Sequence, residues 1–302
     1  MNIDDLKIFI ALNEFKSIAK TSSELFISHS TISYRLSELE KEMGQKLIIR
    51  GKGQLQLTLT EAGKRFLLIA ERICNLHMEA LHISDEEIAQ QLVISGVDSV
   101  NSYFMIDFYR TFIQKNPHIS LSILNGYSAD IPKRVSQGVY DLGISNEHGN
   151  IDSIVADVLF KEDYVCLKRR SSDKHNDSIE KIDTDSLNPK NEFYQKFDAD
   201  FTQWHISRFS DVRPRFNSEI AKLNAHIMQT DYDWSIMPYT VAKYYESKGC
   251  YTIYKLDSPP PPRIVYIITN NAKNQYNSET VERFKAELKK YSEDYFRECK
   301  EI

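Results

Sequence analysis

The sequence predicts an α+β head joined by one long helix to a larger α/β body, and three observations carry that reading. Within the first 45 residues, three helix-length apolar periodicities follow one another with almost no chain between them. From Ala62 to Ile83 a single apolar seam then recurs at alternating spacings of four and three. Beyond residue 91, apolar runs of strand length alternate with amphipathic stretches of helix length. A chain of 302 residues, 41% hydrophobic and 27% charged, has room for two such packed units.

The first helix is marked by Leu6, Phe9 and Ile10, with Asn2 or Asp4 placed to cap it. Ser17 caps a short second helix, with Ile18, Ser22 and Leu25 on one face. Ser28 opens a third, whose Ile32, Leu36, Leu39 and Met43 share one side and which Gly44 ends. Only Phe26-Ile27 separates the second helix from the third, and two helices joined so tightly form a helix-turn-helix. Lys46 to Thr58 reads as two short strands around Gly51 and Gly53, a β-hairpin wing. Thr60-Glu61 then starts a helix expected to run to about residue 88. Its seam of Ala62, Phe66, Ile69, Ile73, Leu76, Ala80 and Ile83 suits a partner helix, as in a homodimer. The alternative is one amphipathic helix packed on its own domain.

In the body, Leu92–Val97, Ser120–Leu124, Tyr140–Ser145, Asp163–Lys168 and Ile264–Thr269 are expected strands. Residues 103–115, 128–137 and 278–297 are expected helices, and the alternation argues for parallel α/β architecture. Pro259–Pro262 is read as a stiff extended spacer.

Net charge is −5, yet residues 1–58 hold eight Lys/Arg against seven Asp/Glu and the rest of the chain carries −6. Whole-chain charge therefore does not exclude a nucleic-acid partner for the head. Cys74, Cys166, Cys250 and Cys299 stand far apart with no CxxC pair, against a disulfide framework or zinc site. Cys166 and Cys250 sit in or beside apolar stretches and read as buried structural thiols rather than a redox pair. The start carries two acids where a signal peptide has a basic stretch, and no apolar run is long enough to cross a membrane. Those features point to a soluble cytoplasmic protein. Phosphate-binding loops, metal motifs and nucleophile elbows are absent, so neither enzyme, metal nor cofactor is expected.

Ser28 and Ser33 five apart, Leu39-Glu40 before Gly44, then Arg50 and Thr60-Glu61-Ala62-Gly63, form a specific combination. Through residues 3–66 it resembles the winged helix-turn-helix of LysR-type transcriptional regulators. Across 91–302 the likeness lies in layout, with echoes at Ile94-Ser95-Gly96-Val97, Gly138–Ile144 and Trp234–Pro238. The resemblance implies a DNA-binding domain over 1–58, a dimerising linker helix over 59–89 and an effector-binding domain over 90–302. That domain would be two-lobed, like a periplasmic binding protein, with lobe I over about 90–165 and 265–302 and lobe II over about 166–264. It also implies double-stranded operator DNA, a homodimer or homotetramer, and a small anionic effector. This chain departs from the family pattern at His29-Ser30, Tyr34 and Asp231-Tyr232-Asp233.

Candidate contacts follow from the helix wheel. Ser30, Tyr34, Ser37 and Lys41 lie opposite the apolar set, with Thr31 and Ser33 on the flanks. In a major groove such a face offers hydroxyl groups to bases and phosphates, and the Thr31 methyl to a thymine methyl. Ser28, His29 and Ser30 stand at the helix N-terminus, where free N–H groups favour phosphate. Arg35 is a further candidate, and Arg50 and Lys52 on the wing suit backbone or minor-groove contact. An ordinary hydrophilic helix face is the plainer reading. In the body, Ser99, Asn101 and Ser102 follow the first strand, Ser128 follows the second and Ser145 ends the third. Loops at the carboxyl ends of strands bind ligands in α/β folds, although simple N-capping explains the same serines. Thr202, Trp204 and Gln229 are the candidates from the second lobe. With no basic residue in the first-lobe loops, a small carboxylate fits better than a phosphate. The rival function is a small-molecule binding protein whose N-terminal helices serve assembly rather than DNA binding.

Overall fold

Residues 1–50, 56–81, 90–169, 179–210, 212–218, 220–271 and 278–300 are described by the structure, a computed structural model. Helix α1 (Ile3–Phe15) begins at a reciprocal capping box, in which Asn2 and Asp5 each accept the other's backbone N–H at 2.9 Å. Helices α2 (Ile18–Leu25) and α3 (His29–Met43) are capped by Ser17 and Ser28, and Gly44 ends α3 in the left-handed region at φ 66°. Strands β1 (Ile48–Arg50) and β2 (Leu57–Leu59) pair antiparallel, so that Ile48 faces Leu59 and Arg50 faces Leu57. The tip of this wing, with Gly51, Lys52 and Gly53, lies outside the described residues.

Two motif residues join the helices to the wing. Glu40 is buried and accepts the backbone N–H groups of Leu47 and Ile48 at 2.9 and 3.1 Å, while Lys46 pairs with it at 2.6 Å. The end of α3 thereby fixes where β1 starts. Helix α4 (Glu61–Leu81) opens with the Thr60 hydroxyl accepting from Gly63 N at 2.9 Å and donating to the Lys46 carbonyl at 2.7 Å. A Cβ on Gly63 would stand 2.1 Å from the Leu47 carbonyl oxygen, so this close crossing demands glycine. Leu6, Phe9, Leu12, Ile32, Leu39 and Phe66 form the core of the head.

The α4 seam divides between its two readings. Phe66 is buried against the Phe9 ring, with centroids 5.3 Å apart, and Ala62 and Ile73 pack partly on the same head. Ile69 and Leu76 are 54% and 52% exposed, leaving an apolar stripe free on the outer side. Ile83 falls outside the described residues. Farther along, Glu71 pairs with Arg134 at 2.6 Å and the Asn75 amide donates to the Val139 carbonyl at 3.2 Å, so α4 also docks on the body.

The body runs β3 (Gln90–Gly96), α5 (Asp98–Asn101), α6 (Ile106–Lys115), β4 (Ile119–Asn125), α7 (Ile131–Ser136), β5 (Leu142–Ser145) and β6 (Ile154–Glu162). There follow β7 (Tyr164–Arg169), β8 (Lys181–Ile182), β9 (Phe193–Tyr194), α8 (Ala199–Phe209), β10 (Phe216–Asn217) and α9 (Ala221–Ile227). The chain ends with β11 (Trp234–Pro238), α10 (Tyr239–Glu246), β12 (Tyr251–Leu256), β13 (Arg263–Asn270) and α11 (Ser278–Lys300). One sheet has the order β4-β3-β5-β13-β6 and another the order β11-β7-β12-β8. Each is backed by its own apolar core: Leu92, Ile94, Phe104, Phe112 and Phe284 in one lobe, Leu167, Met237, Val241 and Ile253 in the other.

In the five-stranded sheet the expected parallel pattern holds for β3, β4 and β5, and in the second lobe β8 runs parallel to β12 and β9 to β10. Strand β13 enters antiparallel between β5 and β6, because the chain comes back from the second lobe in the reverse direction. The chain leaves the first sheet at Asp163 and returns after Pro259–Pro262, so Tyr164 and Val165 belong to the second sheet and Arg263 and Ile264 to the first. The expected 103–115 helix shortens to α6, with α5 a further short helix before it and Tyr103 between the two, and 128–137 shortens to α7. Strand β6 escaped the periodicity reading because its Lys161 and Asp157 interrupt the apolar run.

Candidate functional site

Helix α3 presents Ser28, His29, Ser30, Ser33, Tyr34, Ser37 and Lys41 to solvent, and the Tyr34 side chain is 67% exposed. The helix start is preorganised. Ser28 Oγ accepts from Thr31 N at 3.1 Å and lies 2.8 Å from both Ser30 Oγ and Thr31 Oγ1, which orders three hydroxyls at the end where backbone N–H groups are free. Arg35 is a correction. Its guanidinium stands 3.2 Å from Asp5 and 3.7 Å from Asp4, turned toward the start of α1, so its charge holds two helices together. Lys52 lies outside the described residues, and Arg50 closes β1 opposite Leu57.

In the body, the loops after β3, β4 and β5 gather at one end of the sheet. Ser99 is only 8% exposed, and its hydroxyl accepts from Arg263 Nη1 at 2.7 Å. Arg263 Nε in turn donates to Glu162 Oε1 at 3.0 Å, and Nη2 donates to the same oxygen. Glu162 Oε2 accepts the Thr240 backbone N–H at 2.8 Å, at the start of α10 in the other lobe. A basic group therefore does stand beside Ser99, brought by β13 from far along the chain and neutralised by a buried carboxylate. The first-lobe loops alone gave no sign of it.

Asn101 is a second correction. It is 7% exposed and saturated: its amide donates to the Gly96 and Leu124 carbonyls at 3.2 Å and to Asn125 Oδ1 at 3.0 Å, while Tyr109 OH donates to its oxygen at 2.8 Å. A Cβ on Gly96 would approach that oxygen to 2.5 Å, which accounts for the glycine ending β3. Ser102 is exposed and donates to Asp98 at 2.7 Å. Ser128 bonds Asn146, and Ser145, fully buried, donates to the Ser128 carbonyl at 3.2 Å and accepts Glu147 N at 3.1 Å. The structure thus brings Ser128 and Ser145 together directly.

Contacts between the lobes were not read from the sequence. Asn146 reaches the Phe197 carbonyl at 3.4 Å, and the Tyr103 and Tyr245 hydroxyls meet at 3.0 Å. Burial, and then the Tyr245 hydroxyl, push the Tyr103 phenol upward, so it stays protonated. In the second lobe Thr202 donates back to the Asp198 carbonyl at 2.6 Å, and the Trp204 indole donates to the Ser258 carbonyl at 3.1 Å on the return crossing. Gln229 is exposed on a turn organised by Asp233. That carboxylate, fully buried, accepts Gln229 N and Thr230 N at 2.8 and 2.9 Å and pairs with Arg215. Burial opposes its charge, but the Thr230 and Gln229 N–H groups outweigh burial and hold its pKa below the usual carboxylate value. Asp233 is structural, while Asp231 and Tyr232 face solvent.

Cys166 is fully buried, and burial pushes its thiol up to about 12. Cys250, expected to be buried, is exposed at the residue before β12. Among the described residues no cluster of three or more His, Cys, Asp or Glu is arranged to hold a metal, and no helix is long and apolar enough to cross a membrane.

Two family models match the chain: "Bacterial regulatory helix-turn-helix protein, lysR family" over residues 3–64 and "LysR substrate binding domain" over residues 85–293. The Escherichia coli HTH-type transcriptional regulator cbl is 29% identical over 151 residues, 49% of this chain and 48% of its own length. The Salmonella typhimurium HTH-type transcriptional activator IlvY is 26% identical over 162 residues, 52% of this chain and 53% of its own length. The chain thus spans about half the length of the curated relatives it matches. Full-length CbnR complexed with its target DNA has the same fold, with a TM-score of 0.66 at 19% identity, covering 96% of this chain and 100% of that one. CbnR, a LysR family transcriptional regulator, solved in a separate crystal structure, gives a TM-score of 0.65 at 19% identity, covering 97% and 99%. Family models spanning head and body together settle the relationship: the chain belongs to the LysR family of bacterial helix-turn-helix regulators.

Proposed function

We propose that the chain is a transcriptional regulator that binds double-stranded DNA through α3 and the wing, as a homodimer or homotetramer. The carrying observation is the outer face of α3. Ser30, Ser33, Tyr34 and Ser37 have no packing duty there, and Ser28 orders the end that a phosphate would approach. The free stripe of Ile69 and Leu76 on α4 supports pairing with a second copy. The two-lobed body binds a small effector at the strand ends through Ser102, Ser128 and Thr202. With Arg263 already matched by Glu162, the ligand is neutral or singly charged rather than a phosphate. The protein acts by binding, with no catalysis, and works in the cytoplasm, where its DNA is.

Anisotropy titrations with duplexes selected from a random pool test this. Affinity is expected to fall steeply with salt, as phosphate contacts require. Ser33→Ala or Tyr34→Ala should weaken selected duplexes by about 1–3 kcal/mol each, whereas Arg35→Ala should leave affinity nearly unchanged. Selection that enriches no duplex, with a folded oligomer, would favour the assembly-only alternative.

A further inference from the structure

Phe26, in the turn between α2 and α3, is 95% exposed and sits in the left-handed region at φ 55°. The backbone there is dictated by the turn. Ser22 O accepts the N–H groups of both Phe26 and Ile27, and Ser22 Oγ donates to the Ile27 carbonyl at 2.6 Å. An aromatic residue is poorly suited to this conformation, and glycine adopts it freely. The chain uses glycine at the equivalent place after α3, where Gly44 has φ 66°. Lys16 shares the left-handed geometry after α1, but its ammonium bonds Asn13 at 2.6 Å and its carbonyl takes Leu57 N at 2.9 Å. The Phe26 ring has no such return: its neighbours Leu25 and Ile27 pack on the core, which turns the ring outward. Two local costs thus fall on one side chain that contributes no packing to its own subunit.

We infer that Phe26 makes an apolar contact with DNA, against a thymine 5-methyl group beside the start of α3. The inference rests on the DNA-binding reading above and adds to it a residue that reads sequence. Phe26 lies two residues before the Ser28 cap, next to the exposed Ser28, His29 and Ser30, at the end of the helix that enters a major groove. Phenylalanine meeting a thymine methyl is an established form of apolar readout. The site continues the α3 face, so no separate surface is required.

The test uses the full chain and a duplex selected by it from a random pool. Phe26→Gly and Phe26→Asn both suit the left-handed turn and are expected to melt at or above the parent temperature. Both are expected to bind the selected duplex about tenfold more weakly. Replacing each thymine in turn by deoxyuridine, which lacks only the methyl, should cost the parent about fourfold at one position, the worth of one buried methyl group. The glycine variant should be indifferent to that replacement. Equal affinity of parent and both variants, or equal uracil sensitivity, overturns the contact while leaving DNA binding by Ser33 and Tyr34 standing. Failure of the parent to enrich any duplex overturns both. A drop in mass by light scattering for Phe26→Gly, with DNA affinity unchanged, assigns the ring to a second copy of the chain instead and also overturns it.

Discussion

The Glu162–Arg263 pair is where the two lobes share one buried charge, and removing either half should reveal it. Both side chains are essentially inaccessible, at 0% and 2% exposure. Arg263→Met leaves the Glu162 carboxylate buried with only the Thr240 N–H, and deprives Ser99 of its donor. Breaking a buried pair from one side costs about 3–5 kcal/mol, and an orphaned hydroxyl adds about 1 kcal/mol. Removing both charges in Glu162→Met/Arg263→Met leaves only Thr240 N and Ser99 unsatisfied, a cost of about 1–3 kcal/mol for each group. The double variant is therefore expected to be no less stable than Arg263→Met alone, with a coupling energy of at least about 2 kcal/mol by the double-mutant cycle. Urea unfolding followed by tryptophan emission suits the measurement, because the only two tryptophans, Trp204 and Trp234, both lie in the second lobe. A single-variant loss below about 1 kcal/mol, or strict additivity in the cycle, would refute the buried-charge argument.

Leu76→Asp, at a half-exposed position of the α4 stripe, should lower the mass seen by light scattering while leaving helical content intact; an unchanged mass places the oligomer interface elsewhere. Asp157 is held below the usual carboxylate range by hydrogen bonds from Lys285 and then Lys289. Its stabilising contribution is then complete above the unfolded value near ~4 and fades as pH falls through the lower folded value. Asp157→Asn should flatten the acid limb of a melting-temperature profile, and an identical profile counts against it. Thiol labelling of the native chain should be fast at exposed Cys250 and slow at Cys166 until unfolding, and equal rates contradict the burial of Cys166.

The head was largely legible because its signals are local. Caps at Ser17 and Ser28, the apolar side of α3 and the glycine after it all act over a few residues, and each is found in place. What each motif residue does was not legible. Glu40 entered only as part of the Leu39-Glu40 motif before Gly44, yet it is buried and anchors β1 seven and eight residues away. Gly63 entered only as the end of the Thr60-Glu61-Ala62-Gly63 motif, yet it is where α4 crosses the Leu47 carbonyl at the entry to β1. The body was legible as alternation only. Periodicity reports which face of a strand is apolar, and says nothing of strand direction, so the reversal of β13 could not be seen until its partners β5 and β6 were known.

The cleft was not legible for a related reason, and that reason bears on what a ligand would meet there. Arg263 meets Ser99 across 164 positions and Glu162 across 101, separations that no motif spacing encodes. Those long-range bonds leave few polar groups at the strand ends waiting for a partner: Ser99 holds Arg263, Ser102 holds Asp98, and Ser128 and Ser145 engage Asn146 and each other's loop. A ligand entering there exchanges existing hydrogen bonds for new ones. Each exchange yields only a fraction of a bond's gross strength, about 0.5–1.5 kcal/mol at best. Selectivity must then come from matching several donors and acceptors at once, and from what the exchange does to the contacts spanning the lobes. The Asn146 amide on the Phe197 carbonyl and the Tyr103 hydroxyl on Tyr245 are the bonds that such an exchange would reach, since they join one lobe to the other beside those same loops. On the proposed function, occupancy of the cleft couples to lobe closure, and Arg134 on Glu71 and Val139 on Asn75 tie the first lobe to α4, the helix that follows the proposed DNA-binding head.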